Sequence, residues 1–191
     1  MQFPSTVSEQ RQLLAYGGQV AETDTMIVRL AFLEPKSDDY LINRFVAWTG
    51  KHYVSHVEIL FHDNMAASIN AEGEVFWKHR NYSSNQYKVL SIEVSSANYK
   101  LMYNYAYNMS KNKIGFSNFK MFCGPLTGYR GSSDSTFCSE FVTHTLQVGG
   151  VDFAMKMNAS SMTPSGLYEF MLKNRHICFD STAFKLGVAF G

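Results

Sequence analysis

The apolar run Met26-Ile27-Val28-Arg29-Leu30-Ala31-Phe32-Leu33 has the length of a strand and is closed by Glu34-Pro35, since proline cannot continue a central strand. Ser37-Asp38-Asp39 then supplies N-cap chemistry for a helix in which Leu41, Ile42, Phe45, Val46 and Trp48 recur with a period near 3.6, stopped by Gly50. From Tyr53 to Phe61 the period drops to two. Ser55, Val57, Ile59 and Phe61 fall on one face of a predicted strand, and His56, Glu58 and Leu60 on the other. His62-Asp63-Asn64 reads as a turn, Met65 to Asn70 as the returning strand, and Glu72-Gly73-Glu74 as the turn into Val75-Phe76-Trp77-Lys78, which together make an antiparallel meander.

A fourth strand is predicted over Tyr87 to Val94, followed by a helix from about Asn98 to Met109 whose Tyr99, Met102, Tyr103, Ala106 and Tyr107 have the spacing of core packing. Lys111 to Thr136 is glycine-rich and ends in Ser132-Ser133-Asp134-Ser135-Thr136, so it reads as one long ordered loop. Cys138 opens the next predicted helix, with Phe141, Val142, Leu146 and Val148 facing a core and Gly149-Gly150 as its stop. Thr163-Pro164 begins the last helix as N-cap and first-turn proline, with Leu167, Phe170 and Met171 inward. The mixture of sheet and helix predicts an α+β fold.

At 191 residues, with 46% hydrophobic and 15% aromatic, the chain can bury roughly 70% of its unfolded surface as one ordinary domain. Residues 1–22 read as a lead-in or arm and residues 23–191 as a single domain, with no linker between. Lysine and arginine number 17 against 16 acidic residues, and no basic stripe is present, so nucleic acid is not an expected partner. No apolar run approaches the ~18 residues of a membrane span. The odd number of cysteines, and an amino end without a basic start and an apolar stretch, point to an intracellular location. Composition leaves the oligomeric state open.

Among the 3 cysteines, Cys138 stands apart. In the first turn of a helix, free amides and the positive end of the dipole favour a thiolate and could hold the oxyanion that forms when sulfur attacks a carbonyl. His56, on its strand beside Ser55 and Glu58, is the candidate base. Each of these residues also has a plain structural reading, as a small buried thiol, a satisfied sheet histidine and a solvated strand carboxylate. Cys123 and Cys178 lie among apolar neighbours and read as packing residues. With no Cys-x-x-Cys, no ligand spacing among the histidines and no glycine-rich phosphate loop, neither a metal nor another cofactor is expected.

Three segments, Tyr53-Val54-Ser55-His56-Val57-Glu58-Ile59, Phe137-Cys138-Ser139-Glu140-Phe141-Val142 and Met162-Thr163-Pro164-Ser165-Gly166-Leu167-Tyr168, together resemble the histidine, cysteine and downstream motifs of the permuted NlpC/P60 superfamily of papain-like thiol enzymes. The resemblance is nearest to its YaeF/YiiX-like branch and the relatives of that branch in large DNA viruses, including poxviruses, and it covers roughly residues 25–173. It implies a circularly permuted papain-like fold in which the histidine precedes the cysteine, with a small antiparallel sheet packed against helices. It also implies attack of Cys138 on an amide, ester or thioester carbonyl, with transfer of the acyl group to water or another acceptor. Relatives carry an acidic or polar third residue on the strand after the histidine. Here that position matches Ser68, with Asn70 on the same face, and Glu58 is the alternative third member.

The expected substrate is peptide-like or a lipid acyl group, since Phe116, Phe119, Phe122 and Tyr129 of the long loop would line an apolar cleft. The competing expectation is a papain-like binding or structural module without efficient catalysis, acting in a virion or on a host partner. For a viral protein the intracellular setting is the host cytoplasm or the virion.

Overall fold

The structure is a computed structural model that describes residues 24–36, 51–70, 73–82, 86–112, 133–174 and 178–180, with the main chain alone at 133–137 and 178–180. The predicted amino-terminal arm, the helix expected after Ser37, Cys123 and the aromatic residues of the long loop lie outside the described residues. The strands are β1 (Thr25–Leu33), β2 (His56–Leu60), β3 (Met65–Ile69), β4 (Val75–His79), β5 (Tyr87–Ser95) and β6 (Cys178–Asp180). The helices are α1 (Ser96–Lys111), α2 (Ser133–Val148), α3 (Asp152–Met155) and α4 (Pro164–Lys173). The fold is α+β: an antiparallel five-strand sheet, extended at one edge by the short β6, packs against these helices in the order β4-β3-β2-β1-β5-β6.

The meander β2-β3-β4 runs outward from one side of β1, and β5 returns to pair along the whole of its other side. The chain between β4 and β5 must therefore travel back across the sheet, and Tyr82 of this connection packs with Ala31, Leu60, Ala66 and Val89 on the face opposite the helices. On the helix side, Leu30, Phe32, Val57, Ile59, Leu90 and Ile92 form one apolar cluster with Met102, Phe141, Leu146, Leu167 and Met171. The period of two seen in the sequence around Glu58 is thus a real division between two buried faces.

Local signals explain several boundaries. Ser95 Oγ accepts the Asn98 N–H at 3.2 Å to cap α1, and Thr163 Oγ1 accepts the Gly166 N–H at 3.0 Å to cap α4, with Pro164 in its first turn. Asp63 and Asn64, with φ of 58° and 54°, make the tight β2-β3 turn, a conformation that Asn and Asp tolerate better than most residues. A Cβ at Gly149 would collide with Met102, so this glycine permits α1 and the end of α2 to approach closely.

Four expectations need correction. Strand β2 begins at His56, because Tyr53 takes a left-handed conformation (φ 49°) that bends the chain before it can pair. Helix α2 begins at Ser133, so the polar run through Thr136 is helical and Cys138 is not in its first turn. On α4 the buried positions are Pro164, Ser165, Leu167, Tyr168 and Met171, and Phe170, set off this stripe, is exposed. On α1 only Tyr99, Met102 and Ala106 are core residues; Tyr103 and Tyr107 stack at the margin, edge-on to Trp77.

Candidate active site

The register of β2 puts His56 opposite Leu33 and Glu58 opposite Ala31, on the face away from the helices. Ala31 is small, and the space above it is occupied by the β4-β5 connection. Arg80 Nη2 donates to Glu58 Oε1 at 2.8 Å, Arg80 Nε to Oε2 at 3.2 Å, and the Tyr82 hydroxyl to Oε2 at 2.5 Å. Glu58 is fully buried, so this paired arrangement replaces the water that an ionised carboxylate requires. Burial, and then the adjacent Glu58 charge, push the Tyr82 phenol far above its ordinary range, so it stays a donor.

The ring of His56 is partly exposed and directs Nε2 toward Glu58 Oε1 at 3.7 Å, too long for a hydrogen bond. Burial lowers its pKa from 6.5; the Glu58 carboxylate opposes this shift, and Arg80 and Lys78 add to it. The imidazole is therefore neutral at neutral pH and able to accept a proton.

Cys138 approaches β2 from the helix side. The ladder between β2 and β3 pairs Ile59 with Ala67 and Leu60 with Ala66 and does not extend to Val57. There, side chains take over. Ser68 Oγ donates to the Val57 carbonyl at 2.7 Å, and the Val57 N–H lies against the Cys138 sulfur. Burial pushes the thiol up to about 12, against hydrogen bonds from the N–H groups of Val57, Ser139 and Cys138 itself, while the Glu58 charge adds to the rise. The thiolate expected from a helix start is thus replaced by a neutral thiol. Cys138 is the sixth residue of α2, beyond the first four amides that a helix leaves unpaired, and it is 1% exposed.

The three motif segments converge here although they lie far apart in the chain. Cys138 meets the main chain of Val57, the residue after His56. Its neighbour Ser139 donates to the Met162 carbonyl at 2.5 Å, and the His52 N–H donates to Ser165 Oγ at 3.2 Å. Of the two candidate third residues, the structure brings Glu58 to the His56 ring, whereas Ser68 spends its proton on the Val57 carbonyl. Asn70 Oδ1 accepts the Glu74 N–H at 2.9 Å within the β3-β4 turn.

Sequence reasoning passed over Arg80 and Tyr82. Their signal was indirect: a carboxylate at a strand position whose neighbours are buried must find a cation or several donors. Comparison of the chain with models of protein families, with curated proteins and with solved structures finds no match.

Proposed function

We propose that the chain is a cysteine-dependent hydrolase or acyltransferase of the permuted papain-like class, acting on an amide, ester or thioester with Cys138 as nucleophile and His56 as base. The observation that carries this reading is the convergence of the three motif segments, with the Cys138 sulfur against the amide of the residue that follows His56. Both groups are neutral at rest, so the step begins with proton transfer. The imidazole takes the thiol proton as the sulfur–carbon bond forms and the carbonyl electrons move onto oxygen. Collapse of that oxyanion breaks the bond to the leaving group, which receives the proton from the imidazolium. Water or another acceptor then takes the acyl group from sulfur, with His56 again accepting the proton. The Val57 amide beside the sulfur is the nearest donor for the oxyanion, in place of a helix start.

A second reading, a binding or structural module, is favoured by one observation: the Cys138 sulfur is buried and its thiol strongly protonated. Alkylation with iodoacetamide between about pH 5 and 9, mapped by peptide mass in wild type and His56→Ala, separates the two. The enzyme reading expects Cys138 to react along the deprotonation of His56, and to slow on the order of 10²-fold in His56→Ala. Labelling that rises only toward the free-thiol value of about 8.5 and ignores His56 establishes the binding module.

A further inference from the structure

Glu58 is held at both oxygens, and the partition between them is unequal. Oε2 receives the Tyr82 hydroxyl and Arg80 Nε, whereas Oε1 receives Arg80 Nη2 and faces His56 Nε2. The two parallel bonds from one guanidinium fix the plane of the carboxylate, and the phenol fixes which oxygen is left for the ring. A neutral imidazole carries one proton, and the charge nearest the ring biases which nitrogen holds it. A carboxylate beside Nε2 favours the proton there and leaves the lone pair on Nδ1.

We propose that Arg80 and Tyr82 are positioning residues: by holding the Glu58 carboxylate in one orientation, they keep the His56 proton on Nε2 and make Nδ1 the free base. The charged groups that bear on the ring are Glu58 from its own strand, Lys78 from β4 and Arg80 from the connection beyond it. Burial disfavours the imidazolium and the two cations add to this against Glu58, so the neutral ring, for which the choice of nitrogen matters, is the form present at rest. The catalytic consequence rests on the reading of His56 as base: a proton taken up by the ring goes to Nδ1 while the Nε2 proton stays in place. The tautomer itself can be read without any catalysis.

The test is nitrogen–proton correlation NMR of the histidine rings in the full chain at about pH 7.5, above the unperturbed histidine value. The His56 signals are assigned by their loss in His56→Gln. In wild type the Nε2-protonated form should dominate. Tyr82→Phe should relax it toward the mixture of free imidazole, and Arg80→Lys, which keeps the charge but loses the paired geometry, should relax it further. A wild-type ring protonated at Nδ1 overturns the proposal without any variant. So does a tautomer unchanged in both variants when their amide spectra show the native fold. If Cys138 fails the alkylation test while the tautomer responds as expected, the enzyme reading falls and the positioning role of Arg80 and Tyr82 stands.

Discussion

On the helix-covered face of the sheet, Leu30, Phe32, Val57 and Ile59 join Phe141, Leu146 and Met102 in one apolar cluster, whereas on the other face, which carries the smaller cluster around Tyr82, Glu58, Ser68 and Ser91 are buried just as completely. The first face is stabilised by the removal of apolar area from water, which needs no particular partner. The second depends on named donors, because an unpaired carboxylate in the same place would lose its hydration with nothing in return. Two neighbouring residues of one strand, Val57 and Glu58, therefore obey different rules. The two rules meet on β2, where Cys138 touches the Val57 amide from the helix side and His56 lies beside Glu58 on the other face.

The sharpest way to break the comparison is to truncate each face in turn. Phe141→Ala, in the apolar cluster, should destabilise by about 4 kcal/mol in urea unfolding, the scale of a large side chain lost from a packed core. A polar partner added elsewhere should recover none of it. Arg80→Ala should cost about 3 kcal/mol, toward the low end for a broken buried pair because water reaches the partly exposed guanidinium site. Here the second substitution matters. The double variant Glu58→Leu with Arg80→Leu should be more stable than Arg80→Ala alone, because no unpaired charge is left buried. A double variant that is less stable would show that the polar face behaves like the apolar one.

The pH dependence of stability sharpens the same contrast. The folded chain holds His56 below its ordinary 6.5, so the unfolded chain binds that proton first as pH falls. The contribution is complete above 6.5 and is lost as pH drops through the folded value. Cys138 runs the other way: its thiol is raised from 9.0 to about 12, and the unfolded chain releases the proton first as pH rises. That contribution is complete below 9.0 and is lost on the way to about 12. Urea midpoints measured against pH should therefore decline on both sides of this window, with the alkaline decline reduced in Cys138→Ala and the acid one in His56→Gln.

The smallest effect is expected at Ser55, beside His56. Its hydroxyl is buried with no hydrogen-bond partner among the described residues, as are the Nε2 atom of His52 and the hydroxyl of Thr143. Removing an unpartnered donor gives up no bond, so Ser55→Ala should change stability by less than about 0.5 kcal/mol or raise it slightly. A clear loss of stability would instead reveal a partner for that hydroxyl.

Much of the scaffold could be read from neighbouring residues alone. The apolar run of β1, the alternation of β2, the cap at Thr163 and the stop at Gly149-Gly150 are local signals, and β1 to β5, α1 and α4 lie within a few residues of their expected bounds. That His56 and Glu58 share a face followed from the period of two, which is a property of the strand itself. The same reasoning could not place Arg80 or Tyr82. They follow β4, while β5 pairs with β1 on the far side of β2, and both residues pack onto the sheet over Glu58.

The state of Cys138 was equally non-local. A cysteine after a polar loop suggests a free helix start, but the helix already begins at Ser133, and the sulfur is enclosed between α2 and β2. Sequence by itself determined the kind and order of most strands and helices and which side of β2 each residue faces, since those depend on backbone geometry and the order of side chains along the chain. Only the tertiary structure decided which buried charges are paired and which thiol is desolvated, because both depend on strands and helices brought together from distant parts of the chain.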